Sequence, residues 1–202
     1  MKYIELSLKN LREESIKMAN QIRLSNQIDL IVYVARAGLP IAVYMNEVFQ
    51  VPLLGIGAQR KGNGLKSVVG PIISCLPRFI RYILISFELK SKIHKKDSDR
   101  NVEFHKFIKD INKNQYKNIL LVDDSVDTGH SMKKCVDLIT KEFPNSKIIS
   151  YSLNVWTQSM ELFSTDYYSY LDTIIKAPMS KDSKEYKTFC EMYENVTQNG
   201  YI

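Results

Sequence analysis

The chain has 202 residues, 45% of them hydrophobic and 25% charged, with a formal net charge of +6, which suits one well-filled α/β domain with a small appendage. The lysines are scattered and no nucleic-acid-binding signature accompanies them, so the positive balance points to a small polyanionic ligand and away from DNA or RNA. Cys75, Cys135 and Cys190 are widely spaced with no Cys-x-x-Cys, and His94, His105 and His130 have no metal-ligand spacing, which excludes a disulfide framework and a zinc site and predicts reduced thiols in a cytoplasm. The N-terminus lacks the apolar core of a signal peptide, and no run approaches the roughly 18–20 apolar residues of a membrane span.

Residues 8–25 predict an amphipathic helix, with Leu11, Ser15, Met18 and Ile22 on one face and Asn10 with Glu13 as its capping box. With only this helix ahead of the first strand, there is no room for a winged-helix DNA-binding domain. Leu30–Val34 reads as a strand that passes through Ala35-Arg36-Ala37-Gly38 into a helix from Leu39 to about Phe49, with Pro40 near its first position. Val51–Ile56 follows as another strand. Strand, helix and strand within about thirty residues make a βαβ unit with a parallel sheet and a right-handed crossover. A loop that opens a helix at the carboxyl end of a strand aims free amides at an anion.

Gly55 to Arg60 holds two glycines of a dinucleotide fingerprint, but Arg60 occupies the third glycine position and no acid follows at ribose distance, so that reading is rejected. Gln59–Lys66 reads as a mobile basic loop. The apolar run from about Leu76 to Leu89, followed by Lys90, Lys92, Lys95 and Lys96, is too short to span a bilayer. It is expected to be buried core or a dimer interface, with a membrane-surface contact through residues 76–93 as the alternative. His94–Arg100 reads as a polar linker, and Phe104, Phe107, Ile108 and Ile111 mark a short amphipathic helix.

The densest information lies in Ile119-Leu120-Leu121-Val122-Asp123-Asp124-Ser125-Val126-Asp127-Thr128-Gly129-His130-Ser131. Four apolar residues read as a buried parallel strand, and a helical pattern runs from Met132 to Phe143. Between them a short loop exposes backbone N–H groups at the positive end of a helix dipole, a cradle for phosphate. Gly129 permits close approach, and Thr128 and Ser131 add hydroxyl donors. Asp123 and Asp124 suit a sugar diol, or a metal ion shared with the ligand. Phosphate at one end and diol at the other describes a sugar phosphate.

Val122–Ser131 resembles the signature of the type I phosphoribosyltransferases, which bind phosphoribosyl pyrophosphate (PRPP). The opening Ile119–Ser125 also resembles the first strand of response-regulator receivers. That reading is set aside because the best-spaced acid, Asp166, has no apolar strand before it. Val34-Ala35-Arg36-Ala37-Gly38 resembles the pyrophosphate loop of the phosphoribosyltransferase family, with Ala37 in place of a common glycine. The resemblance implies a doubly wound parallel α/β sheet with a small hood and transfer of 5-phosphoribosyl from PRPP to an acceptor with release of pyrophosphate. Mg²⁺ is implied as the cofactor, held by Asp123 and Asp124, which also anchor the ribose.

Further roles follow from the same resemblance. Asp127 would take a proton from the acceptor and, with Thr128, Gly129, His130 and Ser131, line the 5-phosphate site. Ala35, Arg36, Ala37 and Gly38 would contact the pyrophosphate, with Arg60 and Lys61 on a closing lid. After a strand at Lys147–Asn154, the run Thr165–Met179 resembles the hood of the purine branch, with Ile174 where that branch stacks a Trp on the base and Met179 replacing the Trp after Pro178. Trp156, Ile174 and Ile175 are the candidate acceptor contacts, and Gln158 stands near the position of a base-binding Lys. A last helix is expected over Lys184–Glu194.

The expected organisation is a single domain, with its core at about 28–60 and 100–155, an apolar insertion at about 61–100 and a hood at about 156–202. A cytoplasmic homodimer, with peripheral contact at the inner membrane face as a variant, completes the expectation. The acceptor is expected to be a purine-type base in nucleotide salvage. The alternatives are a sugar hydroxyl of a glycan or lipid-linked saccharide, as in ribofuranose addition during bacterial surface polysaccharide synthesis, and a non-catalytic PRPP-sensing regulator.

Overall fold

The computed structural model describes residues 2–60, 100–104 and 113–199. Two compact units divide the chain, one made of Met1–Ala58 with Val102–Ile202 and the other of Gln59–Asn101. The strands are β1 (Lys2–Glu5), β2 (Leu30–Ala35), β3 (Leu53–Arg60), β4 (Arg100–Phe104), β5 (Asn118–Val126), β6 (Lys147–Val155), β7 (Tyr167–Leu171) and β8 (Thr173–Lys176). The helices are α1 (Leu8–Arg23), α2 (Gly38–Phe49), α3 (His130–Glu142) and α4 (Tyr186–Asn199).

Six strands form one sheet in the order β4-β3-β2-β5-β6-β7, and β1 with β8 forms a separate two-stranded ribbon. The pairs β2–β3, β2–β5, β5–β6 and β6–β7 are all parallel. Strand β2 consists of Leu, Ile, Val, Tyr, Val and Ala, and its first five residues are buried, as expected of a strand covered on both faces. Leu11, Met18 and Ile22 of α1 pack on one face of the sheet with Leu39, Ile41 and Met45 of α2. Met132, Cys135 and Ile139, at positions i, i+3 and i+7 of α3, pack on the other with Tyr116 and Phe143. Each such buried side chain contributes roughly 1.5–3 kcal/mol of hydrophobic stabilisation.

The chain runs outward from β2 to β3 on one side, and β5 starts the second run on the other side of β2. The strand order therefore reverses between β2 and β5, which opens a crevice at their carboxyl ends. The loops that leave these two strands flank it. Asp29 fixes their register from below, its Oδ2 accepting from the N–H groups of Lys117 and Asn118, both at 2.9 Å.

Several elements differ from the sequence expectation. The cap of α1 is Ser7, not Asn10: the Ser7 hydroxyl accepts from the Asn10 N–H at 3.1 Å and the Asn10 side chain reaches back to the Ser7 N–H. A strand, β1, precedes that helix. Gln59 and Arg60 belong to β3 and not to a loop, while Lys61 and the rest of the expected basic loop lie outside the described residues. The apolar run 76–93 is outside them too. Arg100 and Phe104 lie in β4 and not in a linker and a helix; Phe107, Ile108 and Ile111 are not described. Strand β5 continues four residues past Val122, through both carboxylates to Val126. Among the described residues, no helix is long and apolar enough to cross a membrane.

Candidate active site

The loop between β5 and α3 follows directly from its sequence. Gly129 is the N-cap of α3 with φ of 80°, a conformation that non-glycine residues adopt only under strain. A Cβ at this position would stand 2.9 Å from Cβ of Phe163 and 3.1 Å from the Ser159 carbonyl oxygen. The short 3-10 segment Thr157–Glu161 and the turn after it thus press against the loop. Gln158 adds a tether, its Nε2 donating to the Asp127 carbonyl at 3.2 Å. The Ser131 hydroxyl is buried and has no hydrogen-bond partner. An orphaned buried hydroxyl costs about 1–3 kcal/mol, and at a helix N-terminus an anion would relieve it.

Asp123 is only 6% exposed, and its Oδ1 accepts from the Asp124 N–H at 2.9 Å. Burial, then the neighbouring Asp124 charge, push its carboxyl well above the usual range. The Asp124 carboxyl is also raised, by burial and then by Asp127, while its hydrogen bond with Asp123 works the other way. The two carboxyls sit close to each other and close enough to Asp127 for its charge to raise the proton affinity of both. That environment favours a cation, and two oxygen donors suit Mg²⁺, which keeps several water or substrate oxygens of its own. Among the described residues, no cluster of three or more His, Cys, Asp or Glu side chains is placed to hold a metal. Asp127 is oriented by a residue that sequence reasoning passed over: the Ser125 hydroxyl donates to its Oδ1 at 2.7 Å.

The second loop, Ala35–Gly38, joins β2 to α2. A Cβ on Gly38 would lie 2.8 Å from the Val122 carbonyl oxygen and 3.5 Å from Cα of Asp123. Glycine therefore lets the start of α2 lean on the strand that carries the paired acids, so both loops meet at Asp123. The Ala35–Arg36 peptide is cis. The Arg36 side chain turns toward α4, with Cζ 4.7 Å from the Tyr193 ring centroid and 5.8 Å from that of Phe189. Nearby, burial and then Tyr193 push the Tyr33 phenol up to about 12.

The hood residues are arranged by backbone pairing. Trp156 stands beside the signature strand, its N–H donating to the Val126 carbonyl at 3.0 Å. Ile174 and Ile175 lie on β8, whose parallel pairing with β1 sets Tyr3 opposite Ile174 and Ile4 opposite Ile175. Ile4 and Ile175 pack against the core, so Tyr3 and Ile174 share the other face. Tyr3 is 49% exposed there, and nothing in the sequence around it marked it as a candidate. Asp166 is occupied structurally: its Oδ2 accepts from the Ser150 N–H at 2.8 Å and the Ser150 hydroxyl at 2.6 Å, which agrees with setting the receiver reading aside. Arg60 is described only as part of β3, and Lys61 is not described, so neither enters this geometry.

A mostly parallel sheet whose reversal point is flanked by two helix-opening loops, with paired acids on the strand that feeds one of them, is an architecture shared by nucleotide- and sugar-phosphate-handling α/β proteins. The phosphoribosyl transferase domain model matches residues 6–176, and the chain belongs to that family. Among solved structures, the Helicobacter pylori xanthine-guanine-hypoxanthine phosphoribosyltransferase is 18% identical with a TM-score of 0.61, over 92% of this chain and 99% of that one. A purine phosphoribosyltransferase from Pyrococcus horikoshii Ot3 is 17% identical with a TM-score of 0.58, over 87% and 94%. A hypothetical protein from Neisseria gonorrhoeae with bound ppGpp is 13% identical with a TM-score of 0.59, over 96% and 97%. At these identities the likeness establishes the fold. No curated protein matches the sequence at a significant level.

Proposed function

We propose that this chain transfers the 5-phosphoribosyl group of PRPP to a purine-type base with release of pyrophosphate. The observation that carries the reading is the pairing of an amide cradle at Gly129, holding the orphaned Ser131 hydroxyl, with the buried Asp123–Asp124 pair on the strand that feeds it. The 5-phosphate sits in the cradle made by Asp127 to Ser131, the backbone amides supplying most of the donors. The ribose hydroxyls face Asp123 and Asp124. The pyrophosphate lies against the amides of Ala35–Gly38, which Gly38 brings up to β5.

In the reaction, the bond from the anomeric carbon to the pyrophosphate oxygen breaks as a bond from the base nitrogen forms. Positive charge that develops on the ribose ring is stabilised by the nearby carboxylates. Asp127, oriented by Ser125, accepts the proton that the base loses, and general-base catalysis of this kind contributes about 10²–10⁴-fold. Asp123 and Asp124 would hold Mg²⁺, which neutralises pyrophosphate charge when bound. The acceptor is bordered by Trp156, Ile174 and Ile175, with Tyr3 beside Ile174 as the aromatic face that a flat base prefers. The purine phosphoribosyltransferases among the structural neighbours support this choice of acceptor.

The test is pyrophosphate release from PRPP and Mg²⁺ with hypoxanthine, guanine, xanthine or adenine offered separately. Release with one base, lost in Asp127→Asn, is the expected result. Gln158 supports a second reading, because its amide is used on the Asp127 carbonyl and not held toward an acceptor. PRPP binding without release for any base would move the acceptor to a sugar hydroxyl. Binding with no turnover of sugar acceptors either would make the protein a PRPP-sensing regulator.

A further inference from the structure

Arg36 is the one cation of the β2–α2 loop, and its side chain is engaged by α4. On α4, Tyr186, Phe189, Cys190 and Tyr193 fall at positions i, i+3, i+4 and i+7, on one face of the helix. Phe189 is tilted against both other rings, with centroids 5.9 Å from Tyr186 and 6.4 Å from Tyr193. This aromatic row is anchored and not a loose surface: Phe189 is 2% exposed, and Val196 one turn further is buried in the core. The approach to α4 is tied to the start of α1 by Glu185, whose Oε2 accepts from the Leu8 N–H at 2.8 Å. The Arg36 guanidinium lies over the Tyr193 and Phe189 rings and donates through Nη2 to Cys190 Sγ at 3.6 Å. A planar cation on an aromatic face is a favourable arrangement.

We infer that Arg36 is a positioning residue: its charge is spent on α4, and through it the C-terminal helix fixes the backbone of Ala35–Gly38 so that the loop amides, and not the guanidinium, receive the pyrophosphate. Two supports act on this loop. Gly38 rests on the Val122 carbonyl from one side, and Arg36 fastens the other to α4. The helix is thus a working part of the pyrophosphate site although its residues come from the far end of the chain. The inference rests on the PRPP reading for its ligand, but its mechanical content concerns the free protein.

The experiment uses the full-length chain and a double-mutant cycle over Arg36→Ala and Tyr193→Ala, with Tyr193→Phe and Arg36→Lys as controls. Hydrogen–deuterium exchange of peptides spanning residues 35–40 is read in the free protein, and Mg²⁺-pyrophosphate and PRPP titrations are read alongside. Expected is faster loop exchange in either alanine variant, no further increase in the double variant, and unchanged loop exchange in Tyr193→Phe, which keeps the ring face. Arg36→Lys should behave like Arg36→Ala, because a point charge does not replace the stacked plane. Both alanine variants should weaken pyrophosphate binding about fivefold, a loss typical of a weak positioning contact, and raise KM for PRPP with little change in kcat.

Loop exchange unchanged by Tyr193→Ala would overturn the inference. So would Arg36→Lys keeping wild-type pyrophosphate affinity while Tyr193→Ala improves it, since the guanidinium would then be a direct ligand held back by α4. Wild-type protein that binds neither pyrophosphate nor PRPP sinks the PRPP reading instead, and the exchange data still decide whether α4 holds the loop.

Discussion

The two helix-opening loops that flank the crevice are held in place by different means. The β5–α3 loop carries its own device, with residues 157–163 packed against it: Gly129 takes a left-handed conformation at the helix start, and the buried Ser131 hydroxyl two residues on has no hydrogen-bond partner among the described residues. The β2–α2 loop has no comparable local device. Its N-cap, Ala37, makes no side-chain capping bond, and its placement depends on contact with β5 at Gly38 and on α4 at Arg36. One loop carries its turn and its unpartnered hydroxyl within a single contiguous run, whereas the other has its placement set by parts of the chain far apart.

The paired acids, where the two loops meet, give the severest test. Replacing Asp123 and Asp124 together by Asn should weaken PRPP binding in Mg²⁺ by at least roughly 100-fold, the loss of two charge-assisted contacts. Calorimetric titration with an unchanged Kd would remove these residues from the site. The glycines compare the loops directly. Gly129→Ala forces a left-handed alanine against Phe163, and Gly38→Ala drives a Cβ onto the Val122 carbonyl. Each should lower stability in urea by about 1–3 kcal/mol, Gly129→Ala by roughly 1–2 kcal/mol more for its backbone. A Gly38→Ala variant of wild-type stability would show that α2 can shift off β5 without loss.

Ser131→Ala separates readiness from stability. PRPP affinity should fall about tenfold with the loss of one hydrogen bond to a charged group, while the urea midpoint holds or rises because the hydroxyl has no partner in the free protein. A lower midpoint would mean the hydroxyl is already satisfied. The smallest effect is on pH dependence. Both acids have carboxyls raised in the folded chain above the ordinary aspartate value of about 3.9, so the folded state holds the extra protons. Their stabilising contribution is complete below about 3.9 and is lost as pH rises through the raised folded values. Urea midpoints of the ligand-free protein should therefore fall across that window, and less steeply in Asp123→Asn. A midpoint that rises there on account of these residues would contradict the crowded pair.

The same contrast explains what could be read without coordinates. The β5–α3 loop was legible because strand, acids, glycine and hydroxyls follow one another in a run whose order carries the chemistry. The parallel core was legible from β2, whose unbroken apolar run leaves little alternative. Strand β1 was not, because Lys2-Tyr3-Ile4-Glu5 offers one core side chain, and its strand identity comes from pairing with residues 173–176. The cap of α1 was assigned three residues late, since Asn10 serves as the responding partner of Ser7 and not as the cap itself. Phe104 looked helical because its spacing to later apolar residues fits 3.6, yet it ends β4 and sits edge-on to Phe143 at 6.1 Å. Arg36 was correctly placed in its loop, but no local pattern reveals that its side chain reaches the last helix.

The β1–β8 ribbon has a consequence for biosynthesis. Residues 2–5 leave the ribosome long before Thr173–Lys176, the strand they pair with. At ordinary elongation rates of about 5–20 residues per second, a gap of roughly 170 residues lasts on the order of ten to thirty seconds. Throughout that interval Tyr3 and Ile4 lack the strand they pair with, and the ribbon closes only after residues 173–176 have been made. In this order of synthesis β2, β3, β5 and β6 are all available to pair before β1 meets its partner.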